Sequence, residues 1–301
     1  MAKKNRKIAS RGYRAFRVCN VIIMILLMVV ILVPILSVVV NSFVSAAEIA
    51  RRGVFILWPE EIDIGSYQYL WECRGNILRA YGNTLFRTVV GTALSLIVTA
   101  MMAYSLSKKY LKGRVVINGM VFFTMLFGGG LIPTYMVVKM FGLIDSLWSM
   151  VIPGMVSAWN MFIMRNFFYS IPESLEEAAL IDGANQAQIM IRVTLPLSKA
   201  VLATIGLFYA VGHWNSWFDA MLYINRKDLQ PLQILLRNLL VAGVSSEETL
   251  TATASGAASF AVTDRTMRAG TIVVATLPIL IVYPFVQRFF VKGVMIGSVK
   301  G

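Results

Sequence analysis

The sequence predicts an all-α membrane protein with six spanning helices, from its composition, its uncharged stretches and the placement of its basic residues. Of the 301 residues, 57% are hydrophobic and 14% are charged, whereas soluble domains are about 45–50% apolar and about 25% charged. A soluble chain of this length could not bury such an apolar surplus. One histidine and two cysteines also leave too few ligands for a Cys/His metal cluster.

Six stretches without Asp, Glu, Lys or Arg define the expected spans, because about 20 apolar residues cross a ~30 Å hydrocarbon core as a helix. Extended to their flanks, the spans are expected at 18–43, 81–107, 114–138, 146–168, 199–224 and 268–291. The first stretch resembles a signal peptide with a cleavage-like Val44-Ser45-Ala46 site. Its apolar part is about twice the usual 7–15 residues of such a peptide, so a membrane anchor is expected.

Basic residues predict the orientation of these spans. With the N-terminus in the cytoplasm, the inner segments carry 17 basic and four acidic residues, so the net charge of +13 is a topology signal rather than a nucleic-acid footprint. Both termini are therefore expected to be cytoplasmic. The non-spanning parts are then a basic N-terminal segment, an extracellular loop, a cytoplasmic loop inside the 81–291 core, a second extracellular loop and a cytoplasmic tail, at 1–17, 44–80, 170–198, 225–267 and 292–301.

The long inner segment 170–198 predicts two short helices at an angle. Ser170 is expected as an N-cap and Pro172 suits the first turn, where its missing N–H costs no hydrogen bond. Gly183 can adopt the left-handed conformation that ends a helix. A second helix is expected to start near Asn185 and to be interrupted by Pro196.

An apolar side and a cluster of acids mark this segment as a docking element. The apolar side comprises Leu175, Ala178, Ala179, Ile181, Ile189 and Val193, and the acids are Glu173, Glu176, Glu177 and Asp182. An amphipathic helix lying on lipid is the alternative, but such a helix is usually rich in Lys and Arg. The acids therefore favour a protein partner.

The same segment resembles the EAA motif of ABC importer permeases. The pattern is Glu177-Ala178-Ala179, three residues, Gly183, nine residues, Val193, one residue and Leu195-Pro196, with Val193 in place of the usual isoleucine. Four further stretches resemble the carbohydrate-uptake (MalG-like, LplC-type) branch of that family, namely 127–135, 142–148, 212–217 and 292–301.

The resemblance implies a six-helix type I importer permease (MetI-like) fold in a bacterial cytoplasmic membrane. It implies that the chain partners a second homologous permease, two ATPase subunits, an extracellular solute-binding protein and membrane lipid. A nucleic-acid partner is not expected. The residues that would couple to the ATPase are Glu177, Ala178, Ala179, Asp182, Gly183, Leu195 and Pro196. The chain lacks the Gly-x-x-x-x-Gly-Lys-Ser/Thr phosphate loop. We therefore expect a transport subunit that is not itself an enzyme and holds no cofactor. ATP and Mg²⁺ are expected in the ATPase subunits.

Polar and aromatic residues inside the spans are candidates for a sugar pathway, because amide hydrogen bonds and flat rings suit saccharides. The candidates are His213, Trp214, Asn215, Trp217 and Asp219 in span five, Trp159 and Asn160 in span four, and Asn83 and Thr84 in span two. Two alternatives stay open, since tryptophan also anchors helices at the membrane interface and polar side chains also join helices to each other.

Other readings of the whole chain also remain open at this point. Gly128–Gly130 either breaks span three, as in discontinuous transporter helices, or provides a close-packing surface. A secondary transporter or channel would also suit six spans, although it has no need of an acidic docking element. An intramembrane enzyme lacks an HExxH or GxSxG motif here.

Overall fold

A computed structural model describes residues 11–53, 55–72, 74–242, 266–278 and 280–281, and these are helical or irregular, with no strand among them. The chain divides into one unit of residues 1–73 with 240–276 and another of residues 74–239 with 277–301. Residues 1–10 of the expected basic segment, 243–265 of the expected outer loop, 282–291 of the sixth span and the tail 292–301 lie outside the described residues.

The first unit combines one long apolar helix with short helices at its end. The helices are α1 (Arg11–Asn41), α2 (Ala46–Arg52) and α3 (Gly65–Glu72), followed by helical residues 266–276. Most side chains of α1 are exposed, as expected of a helix surrounded by lipid. The expected loop 44–80 contains α2 and α3. Ser66 Oγ donates to the carbonyl of Ser42 over 2.8 Å, and this hydrogen bond joins α3 to the end of α1.

Besides the 3-10 helices Leu147–Met150 and Lys227–Leu229, residues 74–242 contain ten α-helices, of which the last continues three residues past the second unit. They are α4 (Arg74–Ser107), α5 (Arg114–Leu126), α6 (Leu131–Met140), α7 (Ala158–Tyr169), α8 (Glu173–Ile181), α9 (Gln186–Ile189), α10 (Leu195–Leu197), α11 (Lys199–Asn215), α12 (Phe218–Tyr223) and α13 (Leu232–Ala242). A π turn, Met190–Thr194, joins α9 to α10. The core of the second unit lies where α4, α7 and α11 meet. It consists of Ala100, Ala103, Tyr104, Leu106, Met161, Met164, Phe168, Val201, Ile205 and Tyr209.

Several helices differ from the expected spans. α4 begins at Arg74 rather than at 81. The span expected over 114–138 consists of two helices, α5 and α6, that meet at 116°. This is the broken span that Gly128–Gly130 left open, and Gly130 adopts a φ of +86° directly before α6. In the fourth expected span, a 3-10 helix, Leu147–Met150, comes first, and the α-helix begins only at Ala158.

The fifth expected span is also interrupted. The interruption lies after Asn215, where α11 ends, and α12 starts only at Phe218. Just before the span, the helical stretch Gln186–Leu197 meets α11 at 86°. By length and composition, two of the described helices could each cross a membrane, namely Ala15–Asn41 and Arg74–Ser107, or four if each bent pair forms one span. The count of six spans with both termini in the cytoplasm stays a prediction.

Candidate docking and translocation sites

The predicted helix–turn–helix of the 170–198 segment is present, with a different start. α8 begins at Glu173, directly after Pro172. The prediction of Ser170 as its N-cap is wrong, because Ser170 closes the preceding helix instead. Its backbone N–H donates to the carbonyl of Phe167 over 3.0 Å and its hydroxyl donates to the same carbonyl over 2.7 Å.

The turn between α8 and α9 has the left-handed glycine conformation that the sequence predicts. Gly183 has a φ of +80°, a conformation that costs a residue with a Cβ free energy. The N–H of Gly183 donates to Leu180 and that of Ala184 donates to Ala179, which satisfies carbonyls at the end of α8. Asn185 then begins α9 with a capping box, in which its side chain and that of Gln188 each accept a backbone N–H over 2.9 Å.

Pro196 does not interrupt the second helix, in contrast to the prediction. The chain continues from α9 through the π turn into α10, and Pro196 occupies the first turn of α10. The π turn lies directly before this proline, so the regular i→i−4 hydrogen-bond pattern has already changed where the N–H of Pro196 is missing. The sharp bend comes two residues later, at Ser198.

The outer side of α8 and the following turn is exposed. We call Glu177, Ala178, Leu180, Ile181 and Asp182 the docking face. Ile181 is 87% exposed and Leu180 is 47% exposed, so the docking face presents neighbouring apolar side chains that a protein partner could cover. Of the other predicted coupling residues, Gly183 and Pro196 are exposed and Ala179 and Leu195 are half-buried.

The predicted apolar side and the acidic cluster each divide into two groups. Ile189 is 1% exposed and packs inward, whereas Ile181 lies outward. Glu176 and Glu173 pair with the turn that follows α4, through Lys108 and Lys109. Two acids, Glu177 and Asp182, remain on the docking face.

The two lysine–glutamate pairs differ in their exposure to solvent. Side-chain exposure is 10% for Lys108 and 16% for Glu176, against 57% for Lys109 and 64% for Glu173. The exposed pair is 2.7 Å apart, and this hydrogen bond raises the pKa of Lys109 and lowers that of Glu173. The attraction between Lys108 and Glu176 is therefore less screened by water and salt than that of the exposed pair.

His213 is buried between helices rather than on an open surface. It is 8% exposed, and its Nε2 lies 3.5 Å from Ser95 Oγ of α4. A Cβ atom at Gly91 would lie 2.9 Å from that same Nε2. The absence of a side chain at Gly91 is what lets the imidazole pack against α4.

Asp219 is paired rather than merely reaching solvent. Arg87 of α4 is 2% exposed and forms an ion pair with Asp219 of α12. Arg87 Nη1 also donates to the carbonyl of Ser216 over 3.0 Å, and Ser216 Oγ donates to Asp219 Oδ1 over 2.9 Å. This cluster fixes the break between α11 and α12 against α4.

The other pathway candidates fall into a buried and an exposed group. Asn83 donates to the carbonyls of Asp228 and Gln230, over 2.9 and 3.1 Å, and so anchors a loop. Thr84 and Asn160 are 1% and 7% exposed. The candidates that stay at least partly exposed are Trp159, Trp214, Asn215 and Trp217.

In the exposed group, two side chains also make local contacts. Asn215 donates to the carbonyl of Val211 in its own helix over 3.0 Å. Trp217 stacks under Arg237, whose guanidinium carbon lies 5.0 Å from the ring centroid. Trp159, which is 63% exposed, is the candidate most open to a ligand or neighbouring chain.

Two residues that join helices, Arg87 and Lys108, are not singled out by the sequence alone. Lys108 counts there only among the basic residues that set the topology, and Arg87 only as a charge at the edge of a span that Asp219 cancels. Their partners, Asp219 and Glu176, lie 132 and 68 residues away in the chain. The available signal was an arginine within an otherwise uncharged helical stretch, since an ionisable group inside a span marks a functional candidate.

Known proteins resemble this chain over most of its length. Residues 2–225 match the family described as a binding-protein-dependent transport system inner membrane component. Protein LplC of Bacillus subtilis (strain 168) is 42% identical over 302 aligned positions that cover 100% of both chains. The polygalacturonan/rhamnogalacturonan transport system permease protein YtcP of the same organism is 41% identical and covers 89% of this chain and 92% of its own.

A solved structure is similar over nearly the same length. It is a chain of a bacterial ABC transporter involved in the import of the acidic polysaccharide alginate, with a TM-score of 0.85 and 36% identity, covering 93% of this chain and 98% of that chain. These similarities disfavour the secondary-transporter alternative. The chain belongs to the family of binding-protein-dependent transport system inner membrane components, and it is an ABC importer permease of the all-helical MetI-like fold, a transport subunit rather than an enzyme.

Proposed function

We propose that this chain translocates a saccharide across the membrane and that its docking face binds the ATPase subunit that drives transport. The observation that carries this proposal is the exposure of the docking face. Ile181 is 87% exposed, and it lies just before the turn that is shaped by Gly183 and the capping box of α9. Such an exposed apolar side chain, beside Glu177 and Asp182, suits a cleft in a protein partner.

The saccharide class is proposed from the relatives. YtcP is named for polygalacturonan and rhamnogalacturonan, and the similar solved structure concerns the acidic polysaccharide alginate. We therefore propose an oligosaccharide or modified saccharide, delivered by a solute-binding protein. Trp159, Asn215 and Trp217 are the proposed lining residues because they are exposed in the second unit.

The proposed assembly contains this chain, a second homologous permease, two ATPase subunits and the solute-binding protein. In the proposed topology, with six spans and cytoplasmic termini, the docking face would lie in the cytoplasm. The ATPase subunits would hold ATP and Mg²⁺ there, and this chain would hold no cofactor. Closure of the ATPase pair would move the docking face, and the spans would alternate between inward- and outward-facing states.

Affinity purification of this chain from its native membrane in mild detergent tests the proposal. We expect an ATPase subunit to copurify with the unaltered chain. Ile181→Glu should reduce that recovery strongly without affecting insertion, because an 87% exposed side chain contributes little to folding and a charge in an apolar cleft is costly.

Ile62→Glu is the matched control, since Ile62 is 77% exposed and lies in the segment expected outside the cell. Its ATPase recovery should equal that of the unaltered chain. Failure to recover any ATPase with the unaltered chain would refute the proposed function. Equal recovery with Ile181→Glu would refute the docking face.

A further inference from the structure

Side chains at the end of α4 contact both α8 and α9. They belong neither to the docking face nor to the proposed sugar pathway. Lys108, one residue beyond α4, pairs with Glu176 of α8. Tyr104, in the last turn of α4, donates its hydroxyl to Gln186 Oε1 of α9 over 2.9 Å. We infer that Lys108, Glu176 and Tyr104 form a joint that transmits movement of the docking face to α4; the inference rests on the proposed function.

Burial separates this joint from the neighbouring surface pair. Lys108 and Glu176 are 10% and 16% exposed at the side chain, so water and salt screen their attraction little. If the two groups separate, each is left as an unpaired charge in a largely buried place. An exposed ion pair contributes little and gives way easily. Lys109 and Glu173, one and three residues away in the sequence, form such a pair, which provides an internal control.

The members of the joint also hold one another in place. Lys108 Nζ lies 4.0 Å from the centroid of the Tyr104 ring, in a cation–π contact. Ser107 Oγ donates to the carbonyl of Tyr104 over 2.7 Å and closes the last turn of α4. One aromatic ring thus positions the ammonium group that meets α8 and the hydroxyl that meets α9, so the two helices are fixed to α4 as a unit.

α4 can carry a displacement from this joint to the far side of the unit. It is one helix of 34 residues, about 51 Å long at 1.5 Å per residue. Its side chains form the core with α7 and α11, and Arg87, roughly 26 Å from Tyr104, holds Asp219 of α12. Lys108, Glu176 and Tyr104 are accordingly positioning residues, since they act through α4 rather than on the transported molecule.

The test measures whether ATP moves α4 in the assembled transporter. Leu85→Cys places a thiol on α4 at a side chain that is 58% exposed, in a chain carrying Cys19→Ser and Cys73→Ser. The complete complex is purified with its ATPase subunits, and maleimide labelling of residue 85 is timed with and without ATP and vanadate. The parent is expected to show a change in labelling rate of at least about fivefold, within the range of coupling between sites.

Lys108→Ala is expected to bring that ratio to about one while the amount of copurified ATPase stays constant. Lys109→Ala should match the parent. The charge exchange Lys108→Glu with Glu176→Lys should restore the ratio, and Tyr104→Phe, which keeps the ring but loses the bond to Gln186, should lower it partly. The exchange and Tyr104→Phe decide the matter if Lys108→Ala fails to insert.

Three results would overturn the inference. These are an unchanged ratio in Lys108→Ala, a ratio of one in the parent, and loss of the ATPase subunit from every joint variant, which would place these residues in the docking surface itself. Absence of the ATPase from the parent complex would instead refute the proposed function. The two proposals therefore fail through different measurements.

Discussion

The ion pair between Arg87 and Asp219 gives a prediction whose size follows from burial. Arg87 has a side-chain exposure of 3% and Asp219 of 27%. Asp219→Ala would leave a guanidinium that cannot lose its proton in a buried position, where its Nε already has no hydrogen-bond partner among the described residues. Breaking a buried pair in this way costs about 3–5 kcal/mol.

The partial exposure of Asp219 and the remaining bond from Arg87 to Ser216 place the expected loss at the lower end, about 3 kcal/mol. Replacing both charges, as Arg87→Met with Asp219→Leu, should restore stability to within about 1 kcal/mol of the parent, because apolar residues then fill the site. Asp228→Ala is the control, since its pair with Arg226 is exposed, and it should change stability little.

Denaturant unfolding of the purified chain in detergent, followed by tryptophan fluorescence, measures all four proteins. The reasoning predicts a large loss for the single variant and recovery in the double variant. A loss below about 1 kcal/mol for Asp219→Ala would show that the pair is solvated like a surface pair. A double variant that is less stable than the single one would show that the site cannot accept apolar side chains.

Three further predictions concern the packing of α4, the docking turn and a loop carboxylate. Gly91→Ala should cost about 1–3 kcal/mol by overpacking, since its Cβ would lie 2.9 Å from Nε2 of His213; thermal unfolding should show recovery in the double variant with His213→Ser, and no recovery would contradict the packing role. Gly183→Val should reduce ATPase recovery, because a β-branched residue is strained at a φ of +80°, whereas Gly183→Asn should keep it; equal recovery in both would show that the turn is not needed. The backbone N–H groups of Arg226 and Asn225 hold the pKa of Asp145 below its usual 3.8, so this carboxylate stabilises the loop fully above pH 3.8 and the effect is lost as the pH falls through the lowered pKa. Hydrogen exchange at the Arg226 amide, corrected for its intrinsic rate, should therefore rise in acid, and the same rise in Asp145→Asn would refute this cause.

The docking turn could be predicted from the sequence because its determinants are local. Gly183 and Asn185 each act within a few residues, through a left-handed φ and a capping side chain. Pro172, expected in the first turn, lies one position earlier, directly before α8. The same logic failed at Ser170, which has the residue type of an N-cap but lies at the end of α7. Residue preference alone does not say which of two neighbouring helices a serine closes.

The contacts that join helices could not be predicted. Lys108 and Glu176 are 68 residues apart, and Arg87 and Asp219 are 132 apart, so their pairing depends on how the helices pack. His213 was interpreted as a pathway candidate because a polar residue in a span serves equally for transport or for helix contacts. Its burial against Gly91 favours helix contact, and that distinction exists only in three dimensions.

The break in the third expected span illustrates a signal with two outcomes. Gly128–Gly130 suited either a broken helix or a close-packing surface. In the structure, Gly130 has a φ of +86°, and a Cβ at Gly128 or Gly129 would meet no described atom within 4 Å. The left-handed conformation therefore explains the glycine at 130, where the span is broken.

Photocrosslinking from position 181 tests the central claim most directly, namely that this chain is driven by an ATPase bound at its docking face. A benzophenone side chain replaces Ile181, which is 87% exposed, and in a parallel chain it replaces Ile62, which is 77% exposed. Illumination of native membranes should join position 181 to the ATPase subunit, identified by mass spectrometry, and position 62 should give no such product. Adducts of position 181 with lipid alone would contradict the claim.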